Sequence, residues 1–139
     1  MVRVLVLTHG RLGHELVAVV EKILGPVSGI DVMSNDGRSA LQLAEDVRRW
    51  LDAGAGVDAS AQAAGAEAAM ILIDDHGGSC ATAALCAGAD GSSAIVIGGL
   101  NLAMLLGLII WRESLQPQEL AERLVEKGRQ AVVRVEPPV

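Results

Sequence analysis

Three short stretches hold residue types that do chemistry, and each follows an aliphatic run: Thr8-His9-Gly10, Asp74-Asp75-His76-Gly77-Gly78-Ser79, and Gly98-Gly99-Leu100-Asn101. An imidazole nitrogen is a nucleophile near neutral pH, where part of it carries no proton. His9 falls between a strand and a helix, so it stands on the rim of a sheet near free helix N–H groups. Such groups stabilise anions, phosphoryl oxygens among them. Position alone leaves two readings of His9 equally open: a nucleophile, or a histidine that caps its loop. Asp74 ends another strand. A carboxylate there can accept a hydrogen bond from one ring nitrogen of His9, which fixes the tautomer and frees the other nitrogen to attack. Taken alone, Asp74 reads more readily as an N-cap or loop carboxylate. Gly77-Gly78-Ser79 can bring backbone amides and a hydroxyl toward an anion, but it lacks the length and the lysine of a nucleotide-binding loop.

The elements that would position these residues follow from periodicity. Residues 3–7 are a buried strand that runs into His9. Leu12, Leu16, Val19, Val20 and Ile23 recur at helical spacing, and Gly25-Pro26 stops that helix. A weaker strand covers 30–33, and Asn35-Asp36-Gly37 is a turn. A second helix is predicted over 39–52, with Leu41, Ala44, Val47 and Leu51 on its inner face. Residues 53–66 are rich in Ala and Gly and read as a connection without chemistry. Strands over 69–73 and 94–97, helices over 80–88 and 102–111, a helix starting near Pro117, and a last strand over 131–135 complete the pattern. Strands alternating with helices imply an α/β fold: an open, mainly parallel four-stranded sheet with helices on both faces. In such folds reactive groups collect at the carboxyl ends of the strands, where the strand order switches. All three chemical stretches sit at strand ends.

Composition narrows the function further. The 139 residues make one domain, spanning 1–139, with a core of Val, Ile, Leu, Ala and Met, since there is no Phe and no Tyr. A net charge of −6 and the lack of aromatic platforms exclude a nucleic-acid partner. The uncharged run over 91–111 is long enough to span a bilayer, but Ser92-Ser93, Gly98-Gly99 and Asn101 interrupt it. It reads as a buried strand and a buried helix, and no direct membrane insertion is expected. The N-terminus shows no signal-peptide order, so a cytoplasmic location is expected. Cys80 and Cys86 match no metal or redox spacing and read as two buried thiols. His9, Asp74 or Asp75, His76 and Cys80 are all metal-ligand types, but their spacing matches no strong signature and no metal is expected. His14 reads as a solvated or packing residue.

The combination is more specific than its parts. The order strand–Thr-His-Gly–helix, strand–Asp-x-x-Gly-Gly-Ser–helix, strand–Gly-x-Asn-x-x-Met–helix resembles the mannose-family EIIA domain of the bacterial phosphoenolpyruvate-dependent sugar phosphotransferase system (PTS) over nearly the whole chain. The matching residues are Thr8, His9 and Gly10; Asp74, Gly77, Gly78 and Ser79; and Gly99, Asn101, Met104 and Leu105. The resemblance implies that His9 is the phosphorylated histidine and that Asp74 orients it. It also implies that Thr8, Gly10, Gly77, Gly78 and Ser79 bind the phosphoryl group. It implies HPr as donor, an EIIB-type protein as acceptor, and no metal, nucleotide or other cofactor. It further implies a homodimer in which the last strand crosses to the partner's sheet, which suits the aliphatic 132–135 and the all-round apolar helix 102–111. An alternative keeps the fold but makes the protein a regulatory module whose His9 phosphorylation state is read by a partner. A third reading is the similar phosphotransfer subunit of dihydroxyacetone kinase, although the Gly-Gly-Ser and Gly-Leu-Asn matches favour the mannose type. Three residues depart from the family pattern: His76 replaces an apolar residue, Cys80 a proline, and Ala103 the proline that follows Asn-Leu.

Overall fold

The structure is a computed structural model and describes residues 1–54, 68–88 and 94–139. Along the first strand, β1 (Arg3–Thr8), every residue from Val4 onward is buried, because both faces of the sheet are covered by helices. Val4 and Val6 join one apolar cluster and Leu5 and Leu7 the other, as strand alternation requires. The remaining elements are α1 (Leu12–Leu24), β2 (Ile30–Ser34), α2 (Ala40–Gly54), β3 (Ala69–Ile73), α3 (Ser79–Gly88), β4 (Ala94–Ile97), α4 (Leu102–Trp111) and α5 (Pro117–Gln130).

The sheet order is β2-β1-β3-β4 with every pairing parallel, the open α/β architecture expected from the sequence. The chain leaves β1 toward β2 and later returns to β1's other side as β3. The switch in strand order therefore lies between the carboxyl ends of β1 and β3. The register pairs Leu7 with Ile73, so Thr8-His9 and Asp74 emerge side by side at this point. Helices α1, α4 and α5 cover the face of Val4, Val6, Met70 and Leu72. Helices α2 and α3 pack on each other over the face of Leu5, Leu7, Ile71 and Ile73.

Local chemistry fixes the ends. Ser39 and Gln42 form a capping box ahead of α2: each side chain accepts the other's backbone N–H, at 3.2 and 2.9 Å. Asn101 caps α4 by accepting from the Met104 N–H at 3.1 Å, and its amide donates to the Gly128 carbonyl at 3.2 Å. A Cβ on Gly128 would lie 2.8 Å from the Met104 methyl and 3.1 Å from the Asn101 amide nitrogen, so a side chain there would make both give way. The Gly-x-Asn-x-x-Met stretch thus docks α4 and α5 onto the sheet.

Several expectations need correction. Helix α1 buries Gly13, Val17 and Val20, while Leu12, Val19 and Ile23 are exposed. Helix α2 buries Leu43, Val47 and Leu51, leaves Leu41 exposed, and runs to Gly54. In both helices the apolar residues cover more than one face, so spacing alone did not choose the inner one. Cys80 is buried as expected, but Cys86 is exposed. The connection expected over 53–66 lies, from 55 onward, outside the described residues. Residues 131–139 form no strand within the single chain, and all are exposed. Among the described residues, no helix is long and apolar enough to cross a membrane.

Candidate functional site

His9 begins where β1 ends, and its backbone is held from several sides. The buried Thr8 hydroxyl accepts the Gly13 N–H at 2.7 Å and donates to the His9 carbonyl at 3.3 Å. A Cβ on Gly13 would sit 2.9 Å from Val6 and 3.0 Å from the Thr8 hydroxyl. Glycine therefore lets the first turn of α1 rest against the strand end. Gly10 takes a positive φ of 53°, and its N–H donates to Asn35 Oδ1 at 3.1 Å. The turn that carries His9 is thus tied to the loop after β2.

The side chain is oriented by Asp74. Asp74 Oδ2 accepts the His9 backbone N–H at 2.9 Å and contacts His9 Nδ1 at 2.8 Å, while Oδ1 accepts the Asp75 N–H at 2.9 Å. The imidazole is 47% exposed and the carboxylate 11% exposed. Partial burial works to raise the Asp74 pKa, but the His9 backbone N–H, the His9 ring and the Asp75 N–H outweigh it. The carboxyl is held below its ordinary value. An ionised carboxylate only accepts hydrogen bonds, so Nδ1 of His9 carries the proton and donates. In the neutral ring Nε2 then holds the free lone pair.

Nε2 faces the start of α3. A Cβ built on Gly78 would lie 3.0 Å from His9 Cε1 and 3.4 Å from Nε2, so Gly78 leaves room beside the nucleophilic edge. The Thr82 N–H bonds the Gly78 carbonyl at 3.2 Å, which makes Gly78 the N-cap of α3. The N–H groups of Ser79, Cys80 and Ala81 then precede the first intrahelical acceptor and form the positive end of the helix. An anion bonded to Nε2 would meet that end.

The predicted residues divide accordingly. His9, Asp74, Gly78 and Ser79 converge on one rim. Thr8 is fully buried and does not open onto the ring; its hydroxyl anchors α1. The Gly10 N–H is taken by Asn35, and the Gly77 N–H lies 3.3 Å from Asp75 Oδ1. His76 and His14 are exposed, with His76 4.0 Å from Asp75. Sequence reasoning did not single out Gly13 or Asn35. Asn35 was legible as a turn residue, but its partnership with Gly10 is long-range and left no local signal. Cys80 lies with its sulfur 4.0 Å from His9 Nδ1. Burial, reinforced by the Asp74 charge, pushes its thiol up to about 11.

The fold is an open parallel α/β sheet with a carboxylate-held histidine at its switch point. The family model EIIA-man, described as the PTS system fructose IIA component, matches residues 3–125, and the chain belongs to that family. It is an EIIA component of the phosphotransferase system. No curated relative matches the chain. Among solved structures it is similar to the mannose/sorbose-specific IIA subunit from Enterococcus faecalis, at 24% identity and a TM-score of 0.78, over 99% of this chain and 96% of that one. It is similar to the EIIA component from Streptococcus agalactiae at 18% identity and a TM-score of 0.79, covering 96% and 97%. A sigma-54 interaction domain protein from Enterococcus faecalis shares the fold at 14% identity and a TM-score of 0.71, covering 94% and 92%.

Proposed function

We propose that the protein accepts a phosphoryl group from phospho-HPr on Nε2 of His9 and passes it to an EIIB-type acceptor. The observation that carries this reading is the Nδ1–Asp74 hydrogen bond, which leaves Nε2 free beside the start of α3. In the accepting step the Nε2 lone pair forms a new N–P bond as the bond to the donor breaks, and the released electron pair leaves with the donor. The Nδ1 proton stays on His9, where Asp74 balances the charge that develops on the ring. The N–H groups at the start of α3, with Ser79, receive the phosphoryl oxygens. Thr8 and Gly10 act by positioning. The donating step to the acceptor is the reverse exchange.

The working unit in this reading is a homodimer. Strand β4 pairs only with β3 among the described residues. Beside it runs a groove lined by Ile95, Ile97, Ala121 and Val125. Val132, Val133 and Val135 are exposed in the single chain. Exchange of that segment onto the partner's sheet would cover both surfaces.

The test is incubation with phosphorylated HPr followed by assay for acid-labile phosphate. Wild type is expected to label and His9→Ala to remain unlabelled while folded. Full labelling of His9→Ala overturns the assignment. A second reading, phosphorylation read by a regulatory partner, is favoured by the similarity to a sigma-54 interaction domain protein. A labelled protein that passes no phosphate to any EIIB-type acceptor would select it.

A further inference from the structure

The ring nitrogen that Asp74 holds is also the nitrogen nearest Cys80. His9, Asp74 and Cys80 each offer one ligand atom, and these atoms lie within 4.8 Å of one another. The closest pairs are His9 Nδ1 to Asp74 Oδ2 at 2.8 Å and Cys80 Sγ to His9 Nδ1 at 4.0 Å. Three elements supply them: the end of β1, the end of β3 and the first turn of α3. The neighbouring Asp75 and His76 are exposed and stand outside this group. The sequence holds these three among its metal-ligand types without a metal-binding spacing, and His9 meets the other two only at the strand switch.

We propose that His9 Nδ1, the Asp74 carboxylate and Cys80 Sγ form a site for a thiophilic divalent cation, zinc foremost, and that its occupancy blocks phosphoryl acceptance at His9. The block rests on the phosphocarrier reading; the site itself does not. An imidazole nitrogen, a carboxylate oxygen and a thiolate are zinc's ordinary ligands, and three protein ligands leave the fourth position to water. Tetrahedral zinc with bonds of about 2.0 Å to nitrogen and oxygen and about 2.3 Å to sulfur separates its ligands by roughly 3.3–3.5 Å. The Nδ1–Oδ2 pair must open slightly and the Nδ1–Sγ pair must close slightly to match. The His9 ring is half exposed, so both a path for the ion and freedom for the ring exist. Binding releases one proton to solvent, from the Cys80 thiol, since a coordinating thiol ionises, while the neutral His9 ring gives up its Nδ1 proton and takes one on Nε2.

The cost to phosphoryl transfer follows directly. The metal takes the Nδ1 lone pair and breaks the Nδ1–H···Asp74 hydrogen bond. The ring's proton then sits on Nε2, which has no lone pair left to attack phosphorus, and the metal-bound Asp74 can no longer balance a developing charge. Cys80 is the member that makes the cluster soft enough for zinc; alanine or proline there would leave only nitrogen and oxygen.

The test uses the Cys86→Ala protein as reference, so that the exposed thiol cannot contribute. Cobalt(II), added alone, is the optical probe. One equivalent is expected to give an intense near-ultraviolet thiolate-to-cobalt absorption. Adding Cys80→Ala should abolish it, and adding His9→Ala, a rim substitution that keeps the thiol, should weaken binding by more than about tenfold. No such absorption in the reference, or its persistence in either variant, overturns the site. The second arm compares labelling by phospho-HPr with and without zinc inside each protein. The rate ratio is expected to exceed about tenfold in the reference and to approach one with Cys80→Ala. Equal slowing in both overturns the block. If the reference takes no phosphate even without zinc, the phosphocarrier reading has failed, and the cobalt titration alone decides the metal site.

Discussion

Asp74 Oδ2 receives both the backbone N–H and the ring Nδ1 of His9, at 2.9 and 2.8 Å. One oxygen thus fixes the position of the residue and the direction of its ring. The same carboxylate stays ionised because those hydrogen bonds outweigh its partial burial. A charged acceptor in this place favours a ring that gains positive character, as the proposed attack of Nε2 on phosphorus would require.

Asp74→Asn should therefore slow phosphoryl acceptance by at least about tenfold, equivalent to about 1.4 kcal/mol of barrier. Asparagine can still touch the ring, but it carries no charge, and its amide can present a donor to Nδ1. Asp75→Asn should have a much smaller effect, because Asp75 is exposed and contacts Gly77 rather than His9. Rates of labelling by phospho-HPr check this. Equal rates for wild type and Asp74→Asn would remove Asp74 from the mechanism.

Gly78→Ala should slow labelling about tenfold with the fold preserved. The added methyl would meet His9 Cε1 at 3.0 Å and crowd Nε2 at 3.4 Å. The ring must then turn away from the line fixed by Asp74. Gly88→Ala is the matched control, since a Cβ there meets nothing within 4 Å. Thermal melts alongside the labelling rates separate a site effect from unfolding. An unimpaired Gly78→Ala protein would show that the edge beside Nε2 is not confined.

The two cysteines should behave oppositely toward alkylation. Cys86 is exposed and Cys80 buried. With its thiol pushed up to about 11, first by burial and then by the Asp74 charge, Cys80 is only about one part in a thousand thiolate at pH 8. Iodoacetamide at that pH should label Cys86 in the native protein and reach Cys80 only after denaturation. Peptide mapping reads the outcome, and rapid native labelling of Cys80 would contradict its placement.

Removal of residues 131–139, leaving a chain that ends at Gln130, should convert a dimer into monomer or aggregate. Ile110 on α4 and Val132, Val133 and Val135 in the tail are exposed apolar residues in the single chain, and such surfaces mark interfaces. Sedimentation of both chains at micromolar concentration is the check. A stable, soluble monomer for the intact chain would count against the dimer, as would a truncated chain that dimerises equally well.

Much of this was legible in the sequence because the sheet is buried on both faces. Runs such as Met70–Ile73 need no periodicity to be read as strands, and the residues that interrupt them mark the rim. His9 and Asp74 were visible for that reason. The inner faces of α1 and α2 were less legible, since Leu12 and Leu41 are apolar yet exposed. A helix with apolar residues on several faces does not reveal which one docks. The contacts of Cys80 with His9 and of Asn35 with Gly10 had no local signal for another reason: they join residues 71 and 25 positions apart through the strand order alone. The tail over 131–135 has the composition of a strand, but no element among the described residues pairs with it.

The central claim is that Nε2 of His9 carries the phosphoryl group while Nδ1 remains bonded to Asp74. Phosphorus-31 and nitrogen-15 NMR of the protein labelled by phospho-HPr tests it most directly, because phosphorus couples to the nitrogen that bears it. The expected result is a single phosphohistidine at His9, with the coupling on Nε2 and a protonated Nδ1. Phosphate on Nδ1, or on His14 or His76, would contradict the account.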